Sequence, residues 1–125
     1  MTWLPEGTHA EISRDKIVQY LLNDVHRYGR AKSRYFRAFG FSPDQPEALR
    51  GALREHPMRN EVVRTTLTEY EFRYVVECTL RSPDGRDPCI VTVWQIAAPG
   101  RPPRLITAYP GLSPRNEPDQ PALPE

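Results

Sequence analysis

Phe72, Tyr74, Val76, Cys78 and Leu80 alternate with Glu71, Arg73, Glu77, Thr79 and Arg81. An apolar period of two over that length predicts a strand with one face buried and the other wet, because a helix would scatter the same side chains around its circumference. A strand of this kind needs antiparallel neighbours. Val62, Val63, Thr65, Thr66 and Leu67 precede it in a β-branched run, and Cys89 to Ile96 follows it. The turn chemistry of Ser82-Pro83-Asp84-Gly85 lies between. Ala98-Pro99-Gly100 breaks the third strand, and Arg104 to Tyr109 makes a fourth. Strict alternation along that last strand predicts Leu105, Thr107 and Tyr109 on one face and Arg104, Ile106 and Ala108 on the other.

Upstream the period changes to that of helices. Ser13 is an N-cap candidate before Ile17, Tyr20 and Leu21, which predicts a short helix to about Asn23. Lys32 to Phe39 gathers Tyr35, Phe36 and Phe39 on one side, and Gly40 supplies a stop. Ser42-Pro43 opens a third helix whose stripe of Ala48, Leu49, Ala52 and Leu53 runs to Pro57. Helices first and strands afterwards predict an α+β domain, with N-terminal helices packed on a four-stranded antiparallel meander.

At 125 residues and 38% apolar side chains the chain has material for one core. Residues 1–12 show no period, the domain is expected over 13–110, and 111–125 form a tail. Eight of the fourteen prolines fall at or after Pro99, and the tail offers almost nothing to bury, so it is expected to stay extended and solvated. Seventeen cationic against sixteen acidic residues leave a net charge of +1, so any charged partner must be met by a local patch. No apolar stretch is long enough for a membrane helix, and Met1 to Ala10 lacks the zones of a secretory signal, which predicts a cytoplasmic protein without a membrane partner. Cys78 and Cys89 are too few for a disulfide scaffold or a structural zinc site and are expected to be reduced.

One segment concentrates charge. His26 to Arg37, HRYGRAKSRYFR, carries Arg27, Arg30, Lys32, Arg34 and Arg37 with no acid, interleaved with Tyr28, Tyr35 and Phe36. Cations beside rings suit a phosphate backbone with unstacked bases, while the same pattern also serves a solvated helix whose aromatics are core. His26 lies among the cations, where its pKa should fall. His9 lies in the irregular start, and His56, beside Pro57, suits the dipole of a helix end. Arg64, Thr65, Thr66, Thr92 and Thr107 are candidates for a polar wall on the sheet, with Trp94 as packing. No HExxH, glycine-rich phosphate loop or GxSxG surrounds any candidate, so no cofactor or metal is expected.

YLLNDVHRYGRAKSRYFRAFGF, LREHP, LRSPDGRDPCIVTVWQI and PRLITAYP, spanning about Ile17 to Pro110, resemble a bacterial domain family of unassigned function. That family is found alone and at the C-termini of polymorphic toxin and phage-associated proteins. The elements that carry the resemblance are Gly29, Lys32, Phe36, Phe39, Gly40 and Phe41, the PDG turn, TVW and the closing LITAYP. Helices followed by a four-stranded meander also look like the barnase, EndoU, colicin and RelE group of metal-independent ribonuclease toxins, an analogy at the level of fold. The resemblance implies a ribonuclease-like domain opposed by a cognate antitoxin or immunity protein. Chemistry nominates His26, Lys32, Arg64 and Thr107 for catalysis, with Arg27, Tyr28, Arg30, Arg34, Arg37 and Tyr109 as RNA contacts. The alternative is a binding module without catalysis, for nucleic acid or protein, immunity-like or structural.

Overall fold

The computed structural model describes residues 2–17, 30–67 and 71–111. Three helices, α1 (Arg14–Lys16), α2 (Arg30–Ala38) and α3 (Pro46–Arg59), precede four strands, β1 (Val62–Leu67), β2 (Phe72–Thr79), β3 (Cys89–Ile96) and β4 (Arg104–Pro110). The strands form one antiparallel sheet in the order β1-β2-β3-β4, so the α+β meander stands. The expected continuation of the first helix to Asn23 lies outside the described residues. The third helix differs at both ends. It begins at Pro46, because Ser42 instead closes a turn with the N–H groups of Asp44 and Gln45. It runs past Pro57 to Arg59, since a proline in the last turn removes a single backbone bond and its ring is buried.

The core lies between the helices and one face of the sheet. Tyr35 and Phe36 of α2, Phe39 just beyond its end, and Leu49 and Leu53 of α3 meet Val76, Ile90, Trp94, Leu105 and Ala108. Leu4, Ala10 and Ile12 add an N-terminal contribution. Arginines of α3 hold that first segment from the side: Arg50 Nε donates to the Ile12 carbonyl at 2.9 Å and Arg54 Nε to that of Ala10 at 3.3 Å. Glu11 then pairs with the free side of β4, its N–H on the Pro103 carbonyl and its carbonyl taking the Leu105 N–H. The start of that edge is thereby paired.

The β2–β3 turn is locked to the end of α2. Asp84 Oδ1 accepts from the Ser82 hydroxyl and the Arg86 N–H, and Asp84 Oδ2 takes the Arg86 guanidinium at 2.7 Å. Slight desolvation pushes the Asp84 carboxyl up, but these bonds outweigh it and hold the group below its usual range. Arg86 also stacks 4.4 Å from the Phe39 ring centre and donates to the Ala38 carbonyl. Gly40 occupies the joint with φ at 100°, and an added Cβ would sit 3.1 Å from Pro83 Cβ and 3.3 Å from the Asp84 nitrogen. Gly40→Ala should therefore cost roughly 1–3 kcal/mol, the scale of a left-handed backbone strain plus a clash, read from urea unfolding. A loss below a few tenths would mean that the turn yields freely. The FGF and PDG elements thus form one joint across the fold.

Cys78 and Cys89 are both free thiols. Register pairs Cys89 with Thr79 and Cys78 with Ile90, so the two are not cross-strand partners.

Candidate functional site on strand β4

Two bulges decide which side chains share a face. On β4, Val93 pairs with Thr107 and Trp94 with Leu105, which leaves Ile106 as an extra residue. The strict alternation expected for this strand is corrected accordingly. Leu105 shares the core face with Ala108, and both are buried, whereas Thr107 and Tyr109 share the opposite face with Arg104. The Ile106 carbonyl accepts from Lys16 Nζ at 2.7 Å.

Lys32 reaches this face from α2. Its Nζ donates to Thr107 Oγ1 at 2.8 Å and lies 5.8 Å from the centre of the Tyr109 ring, with only 8% of the residue exposed. Lys32 and Thr107, separated by 75 positions in sequence, are therefore neighbours in space, with Tyr109 beside them. An ammonium held by a hydroxyl and the face of a ring is a fixed positive charge, and screening by solvent is weak at such a site. The arrangement can hold an anionic oxygen.

The other candidates divide. A bulge at Val63 on β1 places Arg64 opposite Val75, in one cross-strand row with Val93 and Thr107. Two strands intervene, so Arg64 stands three strand spacings, about 14 Å, from Thr107. Arg64 is exposed and does not reach Lys32. Thr65 and Thr66 alternate across β1, both exposed. Arg34 and Arg37 are exposed on α2, and Arg30 opens that helix. His26, Arg27 and Tyr28 lie outside the described residues.

Thr92 belongs to a different network. Its position on β3 faces the core, where Trp94 Nε1 donates to Thr92 Oγ1 at 2.8 Å and His56 Nδ1 lies 2.9 Å from the same oxygen. His56 Nε2 is 2.9 Å from the Cys78 carbonyl, which can only accept. Nε2 therefore carries the proton, Nδ1 accepts from Thr92, and the Thr92 oxygen accepts from Trp94. Burial pushes the His56 pKa down to about 4, against the opposing bonds to the Cys78 and Ile90 backbone. His56 is thus a neutral core residue rather than a cation at a helix end, and it has no solvent access for proton exchange with a substrate. Tyr35 is likewise excluded as an acid, since burial, with the Cys89 thiol and against Arg86, raises its phenol well above the ordinary range.

A second feature of the same face had no sequence motif. Glu11, Gln95, Arg101, Pro102 and Arg104 line an open cleft of about 510 Å³ at the β3–β4 turn. The β3–β4 hairpin brings Gln95, Arg101, Pro102 and Arg104 together, and the pairing of Glu11 with β4 adds the remaining wall. Among the described residues no group of three His, Cys, Asp or Glu side chains is gathered to hold a metal ion. Among the same residues no helix is long and apolar enough to cross a membrane.

No curated protein and no solved structure matches the chain. Residues 3–112 do match a family described as a domain of unknown function, DUF6883, and this span includes α2, the Asp84 joint and all four strands. The match covers nearly the whole chain, and the protein belongs to that family.

Proposed function

We propose that this is an RNA-directed domain that binds the phosphodiester backbone at Lys32 and cleaves it without metal, by attack of the neighbouring 2′-hydroxyl. The observation that carries the reading is the meeting of Lys32, Thr107 and Tyr109 on β4. Arg34 and Arg37 on the exposed side of the same helix add cations for neighbouring phosphates. The order of helices and meander, similar to that of ribonuclease toxins, supports the reading by analogy of fold.

In the proposed reaction a base takes the proton of the 2′-hydroxyl as its oxygen bonds to phosphorus. The bond to the 5′-oxygen breaks, and an acid returns a proton to that leaving oxygen. Lys32 stabilises the extra negative charge of the phosphorane, and Thr107 and Tyr109 hold the ammonium in place. His26 remains the candidate for the proton transfers on its chemistry. A cognate antitoxin or immunity protein would be the partner of such a toxin-type domain.

Single-stranded RNA incubated with the protein and excess chelator should yield products ending in a 2′,3′-cyclic phosphate. Lys32→Ala should lower the rate by roughly 10²-fold or more, the scale for loss of one charge-stabilising donor. Because Lys32 is buried, Thr107→Val serves as a second variant, with thermal midpoints measured for both. Salt-dependent binding without product would retire the cleavage and leave a binding module, a reading that the net charge of +1 favours. Absence of both binding and cleavage would retire the RNA reading.

A further inference from the structure

We infer that the cleft at the β3–β4 turn is a second phosphate subsite, which takes a neighbouring phosphate and its base from the RNA strand proposed to bind at Lys32. The inference rests on that reading and extends it along β4. Arg101 and Arg104 supply the charge. Both are exposed, and neither guanidinium has an ion pair or hydrogen bond among the described residues. Arg50, Arg59, Arg73 and Arg86 differ in each holding a carboxylate.

The backbone fixes the cleft before any ligand arrives. Arg104 is flanked by the two bonds of Glu11, 2.7 Å to the Pro103 carbonyl and 3.0 Å from the Leu105 N–H. The turn beyond it is closed by the Arg101 N–H on the Ala98 carbonyl, with Gly100 at φ 82°. Only glycine takes that conformation without cost, so the return of the chain to Arg101 is built in. Gln95 pairs in register with Arg104 and is half-buried beside it. Its amide and the Glu11 carboxylate present donors and acceptors to the edge of a base, while Pro102 offers an apolar surface for the ring. Glu11 stands in register with Arg104 yet forms no ion pair with it, so both charges remain available.

The Ile106 bulge joins this cleft to the Lys32 site. Arg104 and Thr107 are three positions apart, an odd spacing that would face them oppositely in a regular strand. The extra residue returns both to one face, opposite Gln95 and Val93 and so two ladder steps, about 7 Å, apart along β4. Neighbouring phosphates of an extended single strand fall within that reach. Arginine is suited to the outer position, because its planar fork binds phosphate with two parallel bonds and stays charged.

The test uses the full chain and a fluorescently labelled single-stranded RNA oligonucleotide, with anisotropy measured over a range of salt. Arg101→Gln combined with Arg104→Gln should weaken binding about tenfold and reduce the salt slope by about 0.7 for each phosphate that is no longer neutralised. Arg104→Lys in the Arg101→Gln background should recover part of the slope, since it restores charge without the fork. Unchanged affinity and slope in the double glutamine variant, with binding still weakened by Thr107→Val, would overturn the subsite and leave the Lys32 reading standing. A wild-type protein with no affinity for the RNA would overturn both.

Discussion

Acidification from pH 7 to pH 4 should lower the stability of the folded protein by about 3 kcal/mol through His56 alone. The imidazole titrates near 6.5 in the unfolded chain and is pushed down to about 4 in the core. Between those values the unfolded state binds a proton that the native state refuses, so stability rises with pH across the window. The slope is about 1.4 kcal/mol for each pH unit, vanishes above 6.5 where both states are neutral, and ends below 4 where both are charged. The physical cause is the bonding pattern. Protonation at Nδ1 would turn its acceptor into a donor facing Thr92 Oγ1, which already receives the Trp94 N–H, and the Thr92 hydroxyl hydrogen would lose its place. Urea unfolding from about pH 5 to 6.5, above the range of ordinary carboxylates, isolates the effect. His56→Gln keeps a donor and an acceptor but no titrating site, and it should be about 2 kcal/mol less stable at pH 7 with a flatter profile. Equal slopes for both proteins would rule out His56 as the source.

The same residue shows where sequence reading stops. Its place at the end of an apolar stripe and next to Pro57 matches a cation on a helix C-terminus, and nothing local announces that Thr92 and the Cys78 carbonyl lie against it. Cys78 adds to this, since its φ of 136° turns the backbone out of ordinary strand geometry, and its carbonyl is the one that His56 engages. Such strain costs about 1–3 kcal/mol and persists only where neighbours over-determine it. Strand positions, by contrast, were legible almost to the residue, because Val62–Leu67 and Cys89–Ile96 are rich in β-branched residues and turn residues separate the strands. Tyr35, Phe36 and Phe39 were legible as core from helical spacing. Chemistry alone nominated Lys32, Thr107 and Tyr109, and their meeting depends on how α2 lies against β4, which no periodicity encodes. Arg64 was nominated on equal grounds and falls at the far side of the sheet on β1, because residue type says nothing about strand order. The cleft carries no sequence motif: Gln95 and Arg101 meet Arg104 only through the register of the β3–β4 hairpin, and Glu11 joins them only when the N-terminal segment pairs with β4.

Removing Ile106 should leave the protein folded, whereas removing Ala108, two residues along the same strand, should cost several kcal/mol. Leu-Ile-Thr-Ala-Tyr reads throughout as strand, so propensity makes no distinction between the two deletions. The pairing does. Without Ile106 the order Arg104, Leu105, Thr107, Ala108, Tyr109 alternates perfectly, and each residue keeps its partner on β3. The loss is confined to the side chain of Ile106 and the carbonyl that Lys16 holds, about 1–2 kcal/mol. Without Ala108 the strand has two choices, and each is costly. If the bulge stays, Tyr109 enters the fully buried slot of Ala108 opposite Thr92, where a large ring must be forced against Trp94. If the bulge is absorbed instead, Thr107 takes that slot and Ile106 takes the place of Thr107, which brings a hydroxyl into the core and strips Lys32 of its partner. Thermal midpoints and far-ultraviolet circular dichroism on the two deletion proteins separate the cases. Equal destabilisation would show that Ile106 is an ordinary member of the ladder. A folded Ile106 deletion that still binds RNA would show that the two phosphate sites share a face by pairing alone, the bulge serving only to accommodate one residue too many.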